Sequence, residues 1–464
     1  MPSRKYTYYD YTVSLCSECL KRIDAKIVFE DNNVYMLKRC PEHGNSKVLI
    51  ADDIEYYKNI RNYNKPSETP YKFNTKTHYG CPYDCGLCPD HEQHSCLTII
   101  EITDRCNLTC PTCYAGSSPT HGRHRTFEEV KTMLDTIVDN EKEPDVVQIS
   151  GGEPTLHPNF FEILDYAKSL PIKHIMVNTN GLVIAKDFEF AKRLKSYSPD
   201  FEIYLQFDSF REEALVSLRG ANLKKIREKA IQNLNELNLS TTLVVTLQKG
   251  LNDDEIGEII DYALKQKCVR GVTFQPTQIA GRLDNFNHET DRITLTEVRR
   301  KILEQTEIFT SDDLIPVPCN PDALVMGYVL KLEGNNIPLT RYINPTDLLD
   351  NSKNTIVYEQ DEELHRKMFE IFSTGTSTDK ASSKLHSLLC CLPFIEAPNL
   401  SYDNLFRIII MQFIDAHNFD VRAIKKSCVH IVNKDNKIIP FETMNLFYRD
   451  DKKEYLEKLK SQSI

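Results

Sequence analysis

Positive charge is scarce in this chain: 57 lysines and arginines face 67 aspartates and glutamates, giving a net charge of −10 and an isoelectric point near 5.8. A general nucleic-acid binder needs a basic surface to neutralise phosphates, so nucleic acid is not expected as a partner. Long apolar runs are missing too. No stretch approaches the roughly 18 apolar residues of a membrane-spanning helix, so no transmembrane segment is expected. The opening residues, Met1-Pro-Ser-Arg-Lys-Tyr6, lack the apolar core of a secretory signal. These absences point to a cytoplasmic protein. What remains is ordinary: 464 residues, 41% hydrophobic and 27% charged, enough for two or three domains with a large core.

Cysteine is the exception. There are fifteen, and in a reducing compartment they are expected to be metal ligands rather than disulfides. Ten fall in three groups before residue 114, and Cys390 and Cys391 are adjacent. The most informative group is Cys106-Asn-Leu-Thr-Cys110-Pro-Thr-Cys113-Tyr114, a C-x3-C-x2-C spacing just after the apolar run 97–102. Three thiolates on a four-iron cubane leave one iron open to another molecule. The alternatives are buried small hydrophobes or part of a zinc site, although zinc usually takes four ligands and C-x2-C pairs.

Residues 97–310 alternate short β-branched runs with amphipathic helical runs, the pattern of a parallel sheet built from βα units. Strands are expected at about 97–103, 146–150, 174–180, 202–209, 241–249 and 270–277, with helices at about 127–140, 160–170, 223–237 and 255–266. Six units make the fold class α/β, a partial TIM-type (β/α)6 barrel, in which ligands gather at the C-terminal strand ends. The cysteine motif follows the first strand. Gly151-Gly152-Glu153-Pro154 follows the second; its glycines allow close backbone approach to a ligand and Glu153 can accept from an ammonium group, although a plain turn explains the pair about as well. Later strand ends carry Asn178-Thr-Asn180-Gly181, Gln206-Phe-Asp208-Ser209 and Gln275-Pro-Thr277. Each is also readable as a capped strand terminus.

Taken together, the cysteine spacing, Tyr114 and Gly151 to Pro154 resemble the radical S-adenosylmethionine (SAM) superfamily. The resemblance implies that Cys106, Cys110 and Cys113 hold a [4Fe-4S] cluster whose open iron chelates SAM, and that one electron cleaves the sulfonium to a 5'-deoxyadenosyl radical. It further implies that Gly151, Gly152, Glu153 and Pro154 bind the SAM amino group. Asn180, Gln206 and Asp208 are then candidates for ribose or methionyl hydrogen bonds, and Arg219 for a carboxylate.

Cys81, Cys85, Cys88 and Cys96 lie within sixteen residues and can saturate an auxiliary [4Fe-4S] cluster, with zinc as the lesser alternative. Cys96 precedes the first strand and Cys106 follows it, which at about 3.3 Å per residue separates the two sites by roughly 20 Å; an electron relay is the expected role. Cys16, Cys19, Cys40 and His43 bracket a β-rich segment resembling a zinc ribbon or rubredoxin knuckle around a single iron or zinc ion. Cys319, Cys390, Cys391 and Cys428 are candidates for one further cluster or are buried free thiols, and Cys268 is expected in the core. The apolar stretch 404–417 reads as a core helix, or as a groove for a lipid tail.

The whole chain resembles the archaeal tetraether lipid synthases and their dihydropterin methyltransferase relatives, through Leu15-Cys-Ser-Glu-Cys19, Arg39-Cys-Pro-Glu-His-Gly44, the two central motifs and the tail from Cys428 to Phe441. It departs from that pattern at Glu442-Thr443, where the family tends to place a cysteine, and at 320–323. The expected organisation is an N-terminal knuckle (1–75), an auxiliary cluster segment (76–96), the barrel (97–310) and a mixed α/β C-terminal extension (311–464). The resemblance implies hydrogen abstraction from an unactivated carbon followed by carbon–carbon bond formation on a lipid chain, at the membrane periphery in that case, or methylation of a small polar ring such as a pterin. An electron donor such as ferredoxin or flavodoxin is implied. A non-catalytic iron–sulfur electron carrier is the reading of a different class, against which Gly151 to Pro154 speak, since a carrier has no use for a SAM pocket.

Overall fold

The computed structural model describes residues 3–332, 335–341 and 404–462. Four antiparallel strands, β1 (Thr7–Leu15), β2 (Arg22–Glu30), β3 (Asn33–Cys40) and β4 (Gly44–Ala51), form an N-terminal sheet in sequential order. Its small core of Ala25, Ile27, Val34, Met36 and Tyr57 is too thin to hold the segment folded unaided, which is the usual reason for a metal in such modules.

The second sheet is built on β5 (Leu97–Thr103), β7 (Val146–Gly151), β8 (His174–Thr179), β9 (Phe201–Gln206), β10 (Thr241–Leu247) and β11 (Val269–Pro276), six parallel strands in chain order. A short β6 (Thr112–Cys113) lies in the loop after β5 and pairs with β12 (Arg282–Leu283). The parallel strands are rich in β-branched residues and buried on both faces, as expected of a helix-covered parallel sheet. Their helices are amphipathic. Helix Phe127–Glu141 starts at a Thr126–Glu129 capping box and buries Val130, Met133, Leu134 and Ile137 against the sheet, each side chain contributing about 1.5–3 kcal/mol.

The C-terminal third extends this sheet at both edges. Beyond β11 come β16 (Leu405–Met411), parallel to it, then β14 (Leu324–Leu332), antiparallel, flanked by β13 (Ile315–Pro316) and β15 (Asn335–Pro338). Beyond β5 lies β17 (Val429–Val432), parallel, followed by β18 (Ile438–Pro440). The stretch 404–417 is therefore not a helix. Leu-Phe-Arg-Ile-Ile-Ile-Met is β-branched and matches the apolar edge left by β11, so tertiary pairing overrides the apolar spacing that suggested a helix. Buried in the sheet, most of that run is unavailable to a lipid tail. Among the described residues, no helix is long and apolar enough to cross a membrane.

Candidate active site and metal centres

Cys106, Cys110 and Cys113 line a cavity of about 170 Å³ at the C-terminal ends of the parallel strands. The loop carrying them is pinned by backbone rather than by packing. Arg282 donates from Nε to the carbonyl of Cys110 at 2.6 Å and from Nη2 to that of Ser117 at 2.7 Å. Burial pushes the Cys106 thiol up to about 12 and raises that of Cys110, so metal binding here must displace protons.

Gly151 and Gly152 also line the cavity, but what comes close to them is the chain itself. A Cβ on Gly152 would lie 2.2 Å from the Arg105 carbonyl, and one on Gly151, with φ +130°, 2.2 Å from that of Thr103. The glycines let the exit of β5 pass over the exit of β7 and so set the height of the cysteine loop. Glu153, expected to meet an ammonium group, is turned inward. Its carboxylate accepts from Thr155 Oγ1 at 2.6 Å, Thr179 Oγ1 at 2.7 Å and the Asn180 amide at 2.8 Å. Burial raises its pKa in spite of these donors. Pro154 opens the short helical turn behind it.

Asn180, Gln206 and Arg219 face the cavity; Asp208 does not. Asp208 is fully buried, in the left-handed region at φ +69°, and grips the Arg219 guanidinium at 2.5 and 2.7 Å. A carboxylate spent on a guanidinium is not free for a ribose, so Asp208 positions Arg219 rather than touching a ligand. Gln206 Oε1 and Thr246 Oγ1 also accept from Arg219, at 2.8 and 2.9 Å. Asn180 donates to Asn107 Oδ1 at 2.7 Å beside Cys106.

Several lining residues escaped sequence reasoning. Phe413 and Phe441, with ring centroids 4.1 Å apart, and Tyr114, 4.9 Å from Phe441, form an aromatic wall. Nothing local in sequence joins residues so far apart. Gln148 lies on the inward face of β7 with Val146 and Ser150; the period of two counted back from Gly152 was the available signal.

The other cysteines sort differently from their spacing. Cys16, Cys19, Cys40 and His43 converge as expected. Cys19 and Cys40 Sγ are 3.9 Å apart, and His43 Nδ1 is 3.5 Å from both Cys16 and Cys40 Sγ. Tetrahedral zinc with Zn–S of about 2.3 Å and Zn–N of about 2.0 Å requires S···S of about 3.8 Å and S···N of about 3.5 Å, so these donors fit one ion. Cys96 departs from expectation: it meets Cys319 and Cys428, the three thiols lying within 4.8 Å of one another, rather than completing a set with Cys81, Cys85 and Cys88. The cause is β17, whose parallel pairing of Val429 with Leu97 sets Cys428 beside Cys96, a long-range contact that spacing does not reveal. Cys390 and Cys391, expected with Cys319 and Cys428, lie outside the described residues. Cys81, Cys85 and Cys88 share one loop held by the tail, with Leu87 N donating to the Ile438 carbonyl at 3.0 Å and Cys85 N to Tyr448 Oη at 2.8 Å. Cys268 is in the core.

Comparison with known proteins agrees with this layout. The profile of the Radical SAM superfamily matches residues 100–263, and that of the HMPTM N-terminal zinc ribbon domain matches residues 8–52. The chain is 34% identical to 7,8-dihydro-6-hydroxymethylpterin dimethyltransferase of Methanocaldococcus jannaschii, over 96% of this chain and 94% of that one. It is 30% identical to GTP 3',8-cyclase of Listeria welshimeri over 39% of this chain and 55% of the relative. Among solved structures, Streptococcus suis SuiB bound to precursor peptide SuiA aligns over 46% of each chain at 18% identity and a TM-score of 0.39. With the three-cysteine loop and the glycine turn meeting at one cavity and full-length similarity to a curated relative, this chain belongs to the radical SAM superfamily, in the family of the M. jannaschii enzyme.

Proposed function

We propose that this radical SAM enzyme forms a carbon–carbon bond on a reduced pterin-type ring, adding at an unactivated carbon a one-carbon unit from a separate methyl or methylene donor, because the SAM cleaved to the radical leaves as methionine and 5'-deoxyadenosine. The observation that carries this reading is the full-length match to a pterin dimethyltransferase. The cavity supports it: about 170 Å³, with the carboxamides of Gln148, Asn178, Gln206 and Gln275 among its lining residues, it suits a compact polar ring better than a long alkyl chain. The lipid reading loses its sequence basis with the burial of Leu405–Met411 as a strand.

A [4Fe-4S] cluster on Cys106, Cys110 and Cys113, with SAM, supplies the radical chemistry. The chain's own part is placement and exclusion. Arg219, fixed by Asp208, Gln206 and Thr246, keeps a positive charge on the cavity wall for an anionic group of the cofactor. Asn180 and Gly152 hold the rim beside Cys106. Phe413, Phe441 and Tyr114 give a planar ring a face to lie against and keep water from the reacting carbon. Electrons come from a small donor of the ferredoxin or flavodoxin type, and Cys81 to Cys88 and the Cys96 trio are the places for auxiliary clusters on the way.

The test is anaerobic 5'-deoxyadenosine formation by the reconstituted chain with SAM and dithionite, with and without 7,8-dihydro-6-hydroxymethylpterin. The pterin is expected to accelerate it and a C106A variant to abolish it. Acceleration by isoprenoid lipid vesicles and none by the pterin would overturn the proposal.

A further inference from the structure

Gln148 reaches the cavity from among apolar neighbours. Ile99 on β5 and Met176 on β8 flank Gln148 in register on β7, and both belong, with Tyr204, to a buried apolar cluster. Gln148 is itself only 5% exposed and lines the cavity, yet among the described residues its carboxamide has no hydrogen-bond partner, while neighbouring Asn178 is engaged by Ser150 and Gln206. A carboxamide that opens on a cavity keeps its donor and acceptor available to whatever binds there. It is retained to advantage where a ligand pairs with it, because the site then rejects molecules that cannot.

We infer that Gln148 is a specificity-determining residue that reads the amide edge of the substrate ring. A primary carboxamide presents one acceptor and one donor side by side in a plane. The complementary ligand group is an adjacent N–H and C=O, or N–H and ring nitrogen, as on the pyrimidine half of a pterin; an alkyl chain offers nothing to pair. This inference rests on the proposed pterin reading and extends it by naming the residue and the edge it contacts. The aromatic wall of Phe413 and Phe441 supplies a face for the same ring.

The experiment compares wild type with Gln148→Leu and Gln148→Glu in the reconstituted full chain loaded with SAM, measuring the affinity for 7,8-dihydro-6-hydroxymethylpterin, the basal 5'-deoxyadenosine rate without pterin, and thermal stability. Gln148→Leu is expected to weaken pterin binding roughly a hundredfold, since two hydrogen bonds are lost, and to melt at or above wild type because an apolar side chain completes an apolar layer. Gln148→Glu keeps an acceptor but loses the donor, and is expected to weaken binding as well. A structural role predicts the opposite for stability, a lower melting temperature with unchanged pterin affinity, and that result overturns the inference alone. If wild type neither binds nor responds to the pterin, the functional reading fails and this inference with it.

Discussion

Gly152 and Arg282 do the same work from opposite sides of the cysteine loop. Replacing Gly152 by Ala forces a methyl to within 2.2 Å of the Arg105 carbonyl, so the loop must move. Destabilisation of about 1–3 kcal/mol, with iron bound per chain falling after reconstitution, is the expected result; unchanged melting and iron content would contradict the close approach. Arg282 bonds the carbonyls of Cys110, Gly116 and Ser117. Arg282→Ala is expected to leave the fold intact by circular dichroism but to speed loss of cluster iron to a chelator several-fold, and Arg282→Lys to rescue only part, because an ammonium lacks the planar fork. The three cysteines of this loop were legible as one group from spacing alone, and they line one cavity. Sequence shows that Glu153 and Asp208 are near a site but not which way their carboxylates point, toward Thr155 and Thr179 for the one and onto Arg219 for the other.

Elements tell a similar story at longer range. The six parallel strands were readable from their β-branched runs, whereas Leu405–Met411 was misread because it is apolar at every position but Arg407 and only the vacant edge of β11 makes it a strand. Within the barrel, Glu202 on β9 meets Arg407 on β16 at 2.6 Å. Burial alone would raise the Glu202 pKa, but Arg407 and His174 hold it at about 2, below the usual 4.5. A depressed carboxylate stabilises the fold above 4.5 and loses that contribution as pH falls toward 2. Glu202→Gln, which removes this charge pair, is expected to destabilise the fold at neutral pH. In unfolding measured across pH, the gap from wild type is expected to narrow on acidification through that window; a pH-independent gap would contradict the pairing. The N-terminal ribbon is separable in the same way. Cys19→Ser is expected to remove one metal ion per chain and hydrogen-exchange protection over 7–51 while β5 to β11 stay protected, and equal loss in both sheets would refute independent stabilisation by that ion.

At the scale of the whole molecule, the C-terminal segment is part of the catalytic unit. It adds strands at both sheet edges and, through Val429, Phe413 and Phe441, supplies walls of the cavity. The pairing of β17 with β5 also takes Cys96 from its sequence neighbours and gives it to Cys319 and Cys428. Local spacing therefore identified the radical chemistry, while the cavity walls proposed to select the substrate came from segments hundreds of positions apart and needed the fold. The most direct test of that selection is isotope transfer. Ring-deuterated 7,8-dihydro-6-hydroxymethylpterin is incubated anaerobically with SAM, dithionite and the reconstituted chain, and the 5'-deoxyadenosine formed is analysed by mass spectrometry. Deuterium in the 5'-deoxyadenosine, absent from the Cys106→Ala control, is the predicted result; 5'-deoxyadenosine formed at a pterin-independent rate and free of deuterium would contradict it.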